Sequence, residues 1–388
     1  MDLVVFFPCD ESFRKSSKKI NRVLWRSEED TIQYRTIANM VEREGDLIQE
    51  HIGKKAEEIL KNHHFGADGK LLDNNKGFSS VTDNRGVTKN DCIAEDIICK
   101  MIEELNIGKE KEIQIELSEL HETFEDQRSI KANISLDDVL SKKQKESNRK
   151  KDSPHKEKKE YVKNTVAHIQ SGENDTYVLN AFTIKQMMIV VLAFLLNNRL
   201  LNRTGQLVFF IDGAADLGLA IHHLFFGLLP FKIILDWYHL EEKCKKRLSM
   251  GMKGKQVKNK VLEHILTLLW RGKIDLAVTY LRGLNEDDLK NPEEIKLLIG
   301  YFERNRSSLP CYALRQKLGL RVSSNRVEKA NDLVVSERQK HNGMSWGVSG
   351  STSLATVTSI HLNNEHSHWL LNHEIKFQFN KPAEKSAA

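Results

Sequence analysis

The residues with chemistry to offer are acids set at the ends of apolar runs. VFFI (208–211) stops on Asp212, and FKIIL (231–235) stops on Asp236. A third stretch, SIKANISLDDVL (129–140), partly alternates apolar and polar residues around Ile134, Leu136 and Val139 and carries Asp137 and Asp138. Glu328 follows Asn325 by three residues, where a helix should start. Asp137, Asp212 and Glu328 are 75 (212 − 137) and 116 (328 − 212) residues apart, so only a fold gathers them. Gathered, they are hard oxygen ligands of the kind Mg²⁺ prefers. Two such ions about 4 Å apart activate an attacking oxygen and stabilise the leaving one in an in-line displacement at phosphorus. Without metal the three carboxylates repel, and one of them must take up a proton. Each acid also has a structural reading. Asp212 suits the N-cap of the next helix, and Asn325 with Glu328 has capping-box spacing. Asp137 and Asp138 are neighbours on a strand, so one of them at most faces a given side.

These acids need elements to hold them. The short apolar runs before Asp212 and Asp236 read as strands buried on both faces. ADLGLAIHHLFFGLL (215–229), between them, is too long for a hairpin and suits a crossover helix. The carboxyl ends of strands in an open α/β sheet are where ligands bind. YVKNTVAHIQ (161–170) and DTYVLNAF (175–182) read as two further strands around the turn SGEN, followed by an apolar helix from Thr183 to Leu201. Three strands followed by helix, strand, helix, strand is the order of an RNase H-like fold, which sets the first and fourth strands side by side. From Glu241 to about Leu320 the spacing of Leu and Ile is helical, with eight Lys or Arg between 243 and 260. The fold class expected is therefore α/β, an RNase H-like mixed sheet interrupted by an all-α insertion, with a mainly helical N-terminal region.

That N-terminal region is the least legible. LVVFF (3–7) suits a strand and FRKSSKKINR (13–22) a basic loop. SEED (27–30) has Ser27 and Asp30 at capping-box spacing, and Ile37, Val41, Ile48, Ile52 and Ile59 predict amphipathic helix to about His63. Residues 66–90 are rich in Gly, Asn, Asp and Ser and read as a linker. A helix is expected over 91–105, and the structure of EIQIELSEL (112–120) is left open.

Composition bounds the rest. The chain has 388 residues, a net charge of +5 and a pI near 8.7, so nucleic acid is an admissible partner. Five scattered cysteines without a CxxC pair argue for reduced thiols and against a zinc finger. The longest apolar run, MMIVVLAFLL (187–196), is half of what a membrane span needs, so a cytoplasmic protein is expected. Nine Lys or Arg crowd residues 142–159, a solvated loop that can also meet phosphates. The histidines of HLNNEHSHWLLNHE (361–374) lack a framework for a metal site.

FFIDGA (209–214), ILDWYHL (234–240) and SSNRVEKANDLVVSERQKHNGMSW (323–346) together resemble the catalytic-domain motifs of DDE-type insertion-sequence transposases. The similarity is to the bacterial group related to Mutator-like elements, which carries a helical insertion before the glutamate, and it spans roughly residues 129–363. The resemblance implies Asp212 and Glu328 as the second and third catalytic carboxylates. The first falls on Asp137 or Asp138, with Asp137 preferred because of the residues that follow it; Asp138 stands where Gly is more usual. It further implies Mg²⁺, with Mn²⁺ as a substitute, and double-stranded DNA as partner, both element ends and target. It implies a homodimer or larger synaptic assembly, and a bacterial, nucleoid-associated location. Asp236 and His239 match a motif beside the active site associated with strand handling; alternatively, His239 simply hydrogen-bonds Asp236 at a helix start. Arg338, ten residues past Glu328, suits a phosphate contact, and Trp346 suits either a base stack or core packing. The segments expected are a helical region 1–128, a first core part 129–240, an insertion 241–322, a second core part 323–380 and a disordered tail 381–388. A nuclease or resolvase without strand transfer, and a non-catalytic DNA-binding derivative, are the rival readings.

Overall fold

The computed structural model describes residues 2–27, 30–72, 92–120, 123–144, 160–181, 183–201, 205–323, 325–340 and 344–379. The basic run over 145–159, most of the 66–90 linker and the tail from 380 lie outside the described residues. In chain order come α1 (Asp2–Asp10), α2 (Phe13–Val23), α3 (Tyr34–Asn62), α4 (Glu95–Asn106) and β1 (Ile130–Lys142). Then follow β2 (Tyr161–Ser171), β3 (Asp175–Ala181), α5 (Ile184–Asn197), β4 (Gln206–Ile211), α6 (Ala215–Phe225) and β5 (Phe231–Leu235). Helices α7 (Trp237–Gly251), α8 (Lys255–Trp270), α9 (Ile274–Arg282), α10 (Pro292–Arg304) and α11 (Tyr312–Lys317) follow without a strand. The chain continues with α12 (Asn325–Asn331), a π-helical turn (Asp332–Ser336), α13 (Glu337–Gln339), α14 (Val348–Leu362) and α15 (His366–Asn372). The fold is mixed α/β, with a five-stranded sheet in the order β3-β2-β1-β4-β5.

By their contacts the residues fall into two compact units, and the division does not follow chain order. The first comprises Met1–Ser79, Ser135–Leu201 and Arg326–Ala388. Its β2 and β3 pair antiparallel from Thr165↔Ala181 to Ser171↔Asp175, joined through Gly172 at φ +62°. The apolar run expected to be too short for a membrane is α5, with Met187, Val191, Phe194 and Leu195 all buried. Among the described residues no helix is long and apolar enough to cross a membrane. Helix α3 bears out most of the predicted periodicity, burying Ile37, Val41, Ile48 and Ile59, while Ile52 is half-buried. It lies so close to α14 that a Cβ on Gly45 would meet the Ser353 backbone at 2.4 Å, which only glycine avoids. Helix α14 is small-residue-rich and deeply buried; Thr356, Thr358 and Ser359 hydrogen-bond to carbonyls four residues back. Hydroxyls spent on their own helix let it sit in a core without unpaired polar groups.

The start of the chain corrects the reading from sequence. LVVFF belongs to α1, a helix, where Val5 and Cys9 are buried one turn apart. FRKSSKKINR is α2, capped by Ser12, with Ser16 and Ile20 buried four residues apart. Four-residue burial spacing outweighs the β propensity of a short apolar run. Helix α3 starts later than SEED predicts, at Tyr34, with Gln33 in the cap position.

The second unit comprises Ser80–Ile134 and Asn202–Asn325. All six residues of β4 are buried, and β4 pairs parallel with β5 from Leu207↔Phe231 to Ile211↔Leu235. The predicted crossover helix between them is α6. Helices α7 to α10 close around Leu240, Cys244, Leu248, Ile265, Leu298 and Phe302. Helix α4 and Phe124 form a smaller core with Ala313 and Leu314 of α11. EIQIELSEL, left open above, is two short 3₁₀ turns.

Candidate functional site

In the first unit, Val327 and Ala330 of α12 and Val334 of the π turn bury against Val139 and Val166 of the sheet and Ala355 of α14. That contact fixes the roll of the helix. Glu328 and Asn331, one turn apart, then share the flanking face. Opposite them β1 presents Asp137, two residues from Val139 and so on the same side of the strand. Carboxylate oxygens of Asp137 and Glu328 come within 4.8 Å of each other. An open pocket of about 420 Å³ is lined by Asp137, Asp138, Val139, Glu328, Lys329, Asn331, Asp332, Ser336 and Lys340.

The two adjacent aspartates differ sharply. Asp138 is held on β2: its Oδ1 accepts from Thr165 Oγ1 at 2.7 Å, and its Oδ2 pairs with Lys163 Nζ at 2.5 Å. Asp137 is held toward α12: its Oδ2 accepts from Asn331 Nδ2 at 2.5 Å, and its Oδ1 accepts from the Asp138 N–H at 2.8 Å. The structure therefore brings Asp137, not Asp138, to Glu328. The proposed capping partner of Glu328, the Asn325 side chain, lies outside what is described.

Asn331 was not legible as a site residue, since an asparagine late in a helix reads as a capping or surface residue. Its side chain is 5% exposed, and its Oδ1 accepts no hydrogen bond among the described residues. The carboxylates of Asp137 and Glu328 are oxygen donors of the kind a hard divalent cation takes.

In the second unit Asp212 ends β4. Its Oδ1 accepts from the Ala214 N–H at 2.8 Å, and its carbonyl accepts from Tyr301 Oη at 2.9 Å. The cap position of α6 is Ala214, so Asp212 shapes the turn rather than capping the helix. Gly213 makes that turn possible: it sits at φ +80°, and a Cβ there would meet Tyr301 Oη and Leu235 Cδ1 at 2.8 Å. Burial, with the Asp212 charge behind it, holds the Tyr301 phenol well above its ordinary pKa. Asp236 is fully buried and is the N-cap of α7, its Oδ1 accepting from the His239 N–H at 3.0 Å. The helix-start reading of the Asp236–His239 pair is therefore observed, and a completely buried cap has no surface to offer DNA. His239 lies in the first turn of α7.

One expectation needs correction, and one open alternative is decided. Arg338 is 2% exposed; its Nε donates to the Pro8 carbonyl at 2.8 Å, and its guanidinium lies 4.9 Å from the Phe13 ring centre and 5.2 Å from that of Trp346. Burial pushes its pKa down to about 10. A guanidinium held against two aromatic rings inside the core does not reach a phosphate. Trp346 is buried as well, with its Nε1 donating to the Gln339 carbonyl at 3.2 Å, so it packs the core and stacks no base. Of the four C-terminal histidines, His361 and His366 pack against Phe6 at 5.8 and 5.3 Å, and His373 packs on Trp369 at 5.7 Å.

No protein-family model matches the chain, and no curated protein matches it. The functional reading therefore rests on the site and on the sequence resemblance.

Proposed function

We propose that the chain is a DDE-type DNA transposase with an RNase H-like core, acting on the ends of an insertion sequence and joining the freed 3′-hydroxyl to target DNA. The observation that carries this is the meeting of Asp137 and Glu328, 191 residues apart (328 − 137), in one pocket beside a sheet ordered β3-β2-β1-β4-β5. In that order β1 and β4, the strands bearing Asp137 and leading to Asp212, are neighbours. The all-helical stretch from α7 to α11 precedes the Glu328 helix, as the resemblance requires of an insertion.

In this reading Asp137, Asp212 and Glu328 hold Mg²⁺ or Mn²⁺. A cation held there would supply a lowered pKa for the attacking water or hydroxyl and charge neutralisation at the leaving oxygen. Asp137 is oriented for that task by Asn331 and by the backbone of Asp138. Lys329 and Lys340, exposed at the rim of the pocket, attract the DNA backbone. Gly213 and Tyr301 fix the turn that presents Asp212. His239 keeps the strand-handling role that the resemblance implies. The protein would work on double-stranded DNA as a dimer or larger assembly, in the bacterial cytoplasm.

The test is cleavage and strand transfer by purified protein on DNA carrying the element's own ends, in Mg²⁺, Mn²⁺ or EDTA, beside Asp212→Asn and Glu328→Gln. Metal-dependent nicking at the ends that both substitutions abolish is the expected result. Nicking without any joining would support the nuclease reading instead. Binding without nicking in either metal would leave a DNA-binding derivative.

A further inference from the structure

We propose that Asn331 is an oxygen ligand of the cation held by Asp137 and Glu328. The inference rests on the metal-binding reading of that pocket and adds to it a residue outside the three acids. Asn331 is 95% buried, yet it lines the pocket. Its amide can face only one way. A carboxylate oxygen accepts and cannot donate, so the group bonded to Asp137 Oδ2 must be the NH₂, and the amide oxygen is turned away from it. That oxygen accepts nothing among the described residues. A buried amide oxygen without a donor is the exception in folded proteins, and a bound water or ion is its natural partner. Asn331 also follows Glu328 by three residues, so the two side chains leave α12 on one face. A π-helical turn begins immediately after it, at Asp332, and such turns gather at functional sites. Amide carbonyls are ordinary ligands of hard divalent cations. Asn331 therefore has two tasks: its NH₂ sets the rotation of the Asp137 carboxylate, and its Oδ1 completes a three-oxygen edge of the site.

The experiment titrates Mn²⁺ into the full-length protein and reads free Mn²⁺ by electron paramagnetic resonance, with thermal midpoints in EDTA to monitor the fold. Asn331→Leu removes both polar atoms at similar size. Asn331→Asp keeps a ligand oxygen and loses the NH₂. Asp137→Asn and Glu328→Gln run beside them. We expect Asn331→Leu to weaken Mn²⁺ binding about tenfold or more, and Asn331→Asp to bind at least as tightly as wild type. Should Asn331→Leu not fold, Asn331→Asp decides alone. A tenfold loss in Asn331→Asp would show that the amide donor, and not the oxygen, matters, and would overturn the proposal. Wild-type affinity in Asn331→Leu with loss in Asp137→Asn and Glu328→Gln would also overturn it, leaving the metal site intact. Unchanged affinity in all four variants would remove the metal site and the proposal together.

Discussion

Asp137 and Asp138 are chemically identical neighbours, and the structure predicts opposite responses when each becomes asparagine. Asp138→Asn breaks an ion pair with Lys163, whose side chain is 41% exposed, and keeps an oxygen for Thr165. Pairs as exposed as this contribute about 0.2–1 kcal/mol, so the thermal midpoint should fall by about 2 °C at most in a chain of this size. Asp137→Asn costs the hydrogen bond from the Asp138 N–H or the one from Asn331, about 1 kcal/mol. It also removes one of two like charges within 4.8 Å of each other. At an effective dielectric of about 20 that repulsion is roughly 3 kcal/mol. Without metal the second effect wins, and Asp137→Asn should be as stable as wild type or more so. With metal the ranking reverses. Wild type at 100 times its dissociation constant gains about 2.7 kcal/mol by linkage, and Asp137→Asn should gain almost nothing. Urea unfolding of wild type and both variants, in EDTA and in Mn²⁺, reads all of these differences. If Asp138→Asn loses the Mn²⁺-dependent stabilisation while Asp137→Asn retains it, the assignment of the first acid is wrong, and so is the argument from strand faces.

Three further outcomes follow from the same structure. Gly213→Ala must adopt φ +80° and fit a methyl 2.8 Å from Tyr301 Oη, so it should cost about 2–5 kcal/mol in urea unfolding; wild-type stability would mean the turn after Asp212 can relax. Trp346→Ala should lose about 3–5 kcal/mol as a core truncation, with unchanged DNA affinity by fluorescence anisotropy at fixed salt; weaker DNA binding at undiminished stability would restore the base-stacking role. Glu365, fully buried beneath Tyr177 Oη and the Lys376 and Phe377 N–H groups, has its pKa raised, chiefly by desolvation. A carboxyl raised in the fold stabilises it fully below its unfolded pKa, and that contribution is lost as pH rises through the folded value. Glu365→Gln should therefore gain on wild type as pH climbs from 5 to 8 in unfolding experiments, and a difference independent of pH would contradict the burial argument.

The sequence was legible wherever burial is symmetric or strictly periodic. The runs before Asp212 and Asp236 are buried on both faces, which only short strands in a covered sheet permit, and they appear as β4 and β5. The periodicity of α3 was readable for the same reason, because its register against α14 demands one apolar stripe. What failed were inferences that needed a partner distant in the chain. Nothing near LVVFF shows that Val5 and Cys9 are buried together, and the run alone favours a strand. Arg338 was placed by counting 3.6 residues per turn from Glu328, but the helix widens into a π turn over Asp332–Ser336, and that count no longer holds. The guanidinium instead meets Pro8 and Phe13, more than 300 residues away in sequence. The preference for Asp137 over Asp138 came from the resemblance, and strand pattern alone did not decide it. The choice depends on which carboxylate meets Thr165 and Lys163 of β2 and which meets Asn331 of α12, and both partners are set by strand pairing and helix roll. Asn331 shows the limit most plainly. Its residue type carries no chemistry of its own in the string VEKAN, and it becomes a candidate ligand only when the fold buries it at a pocket of acids with its amide oxygen unpartnered among the described residues.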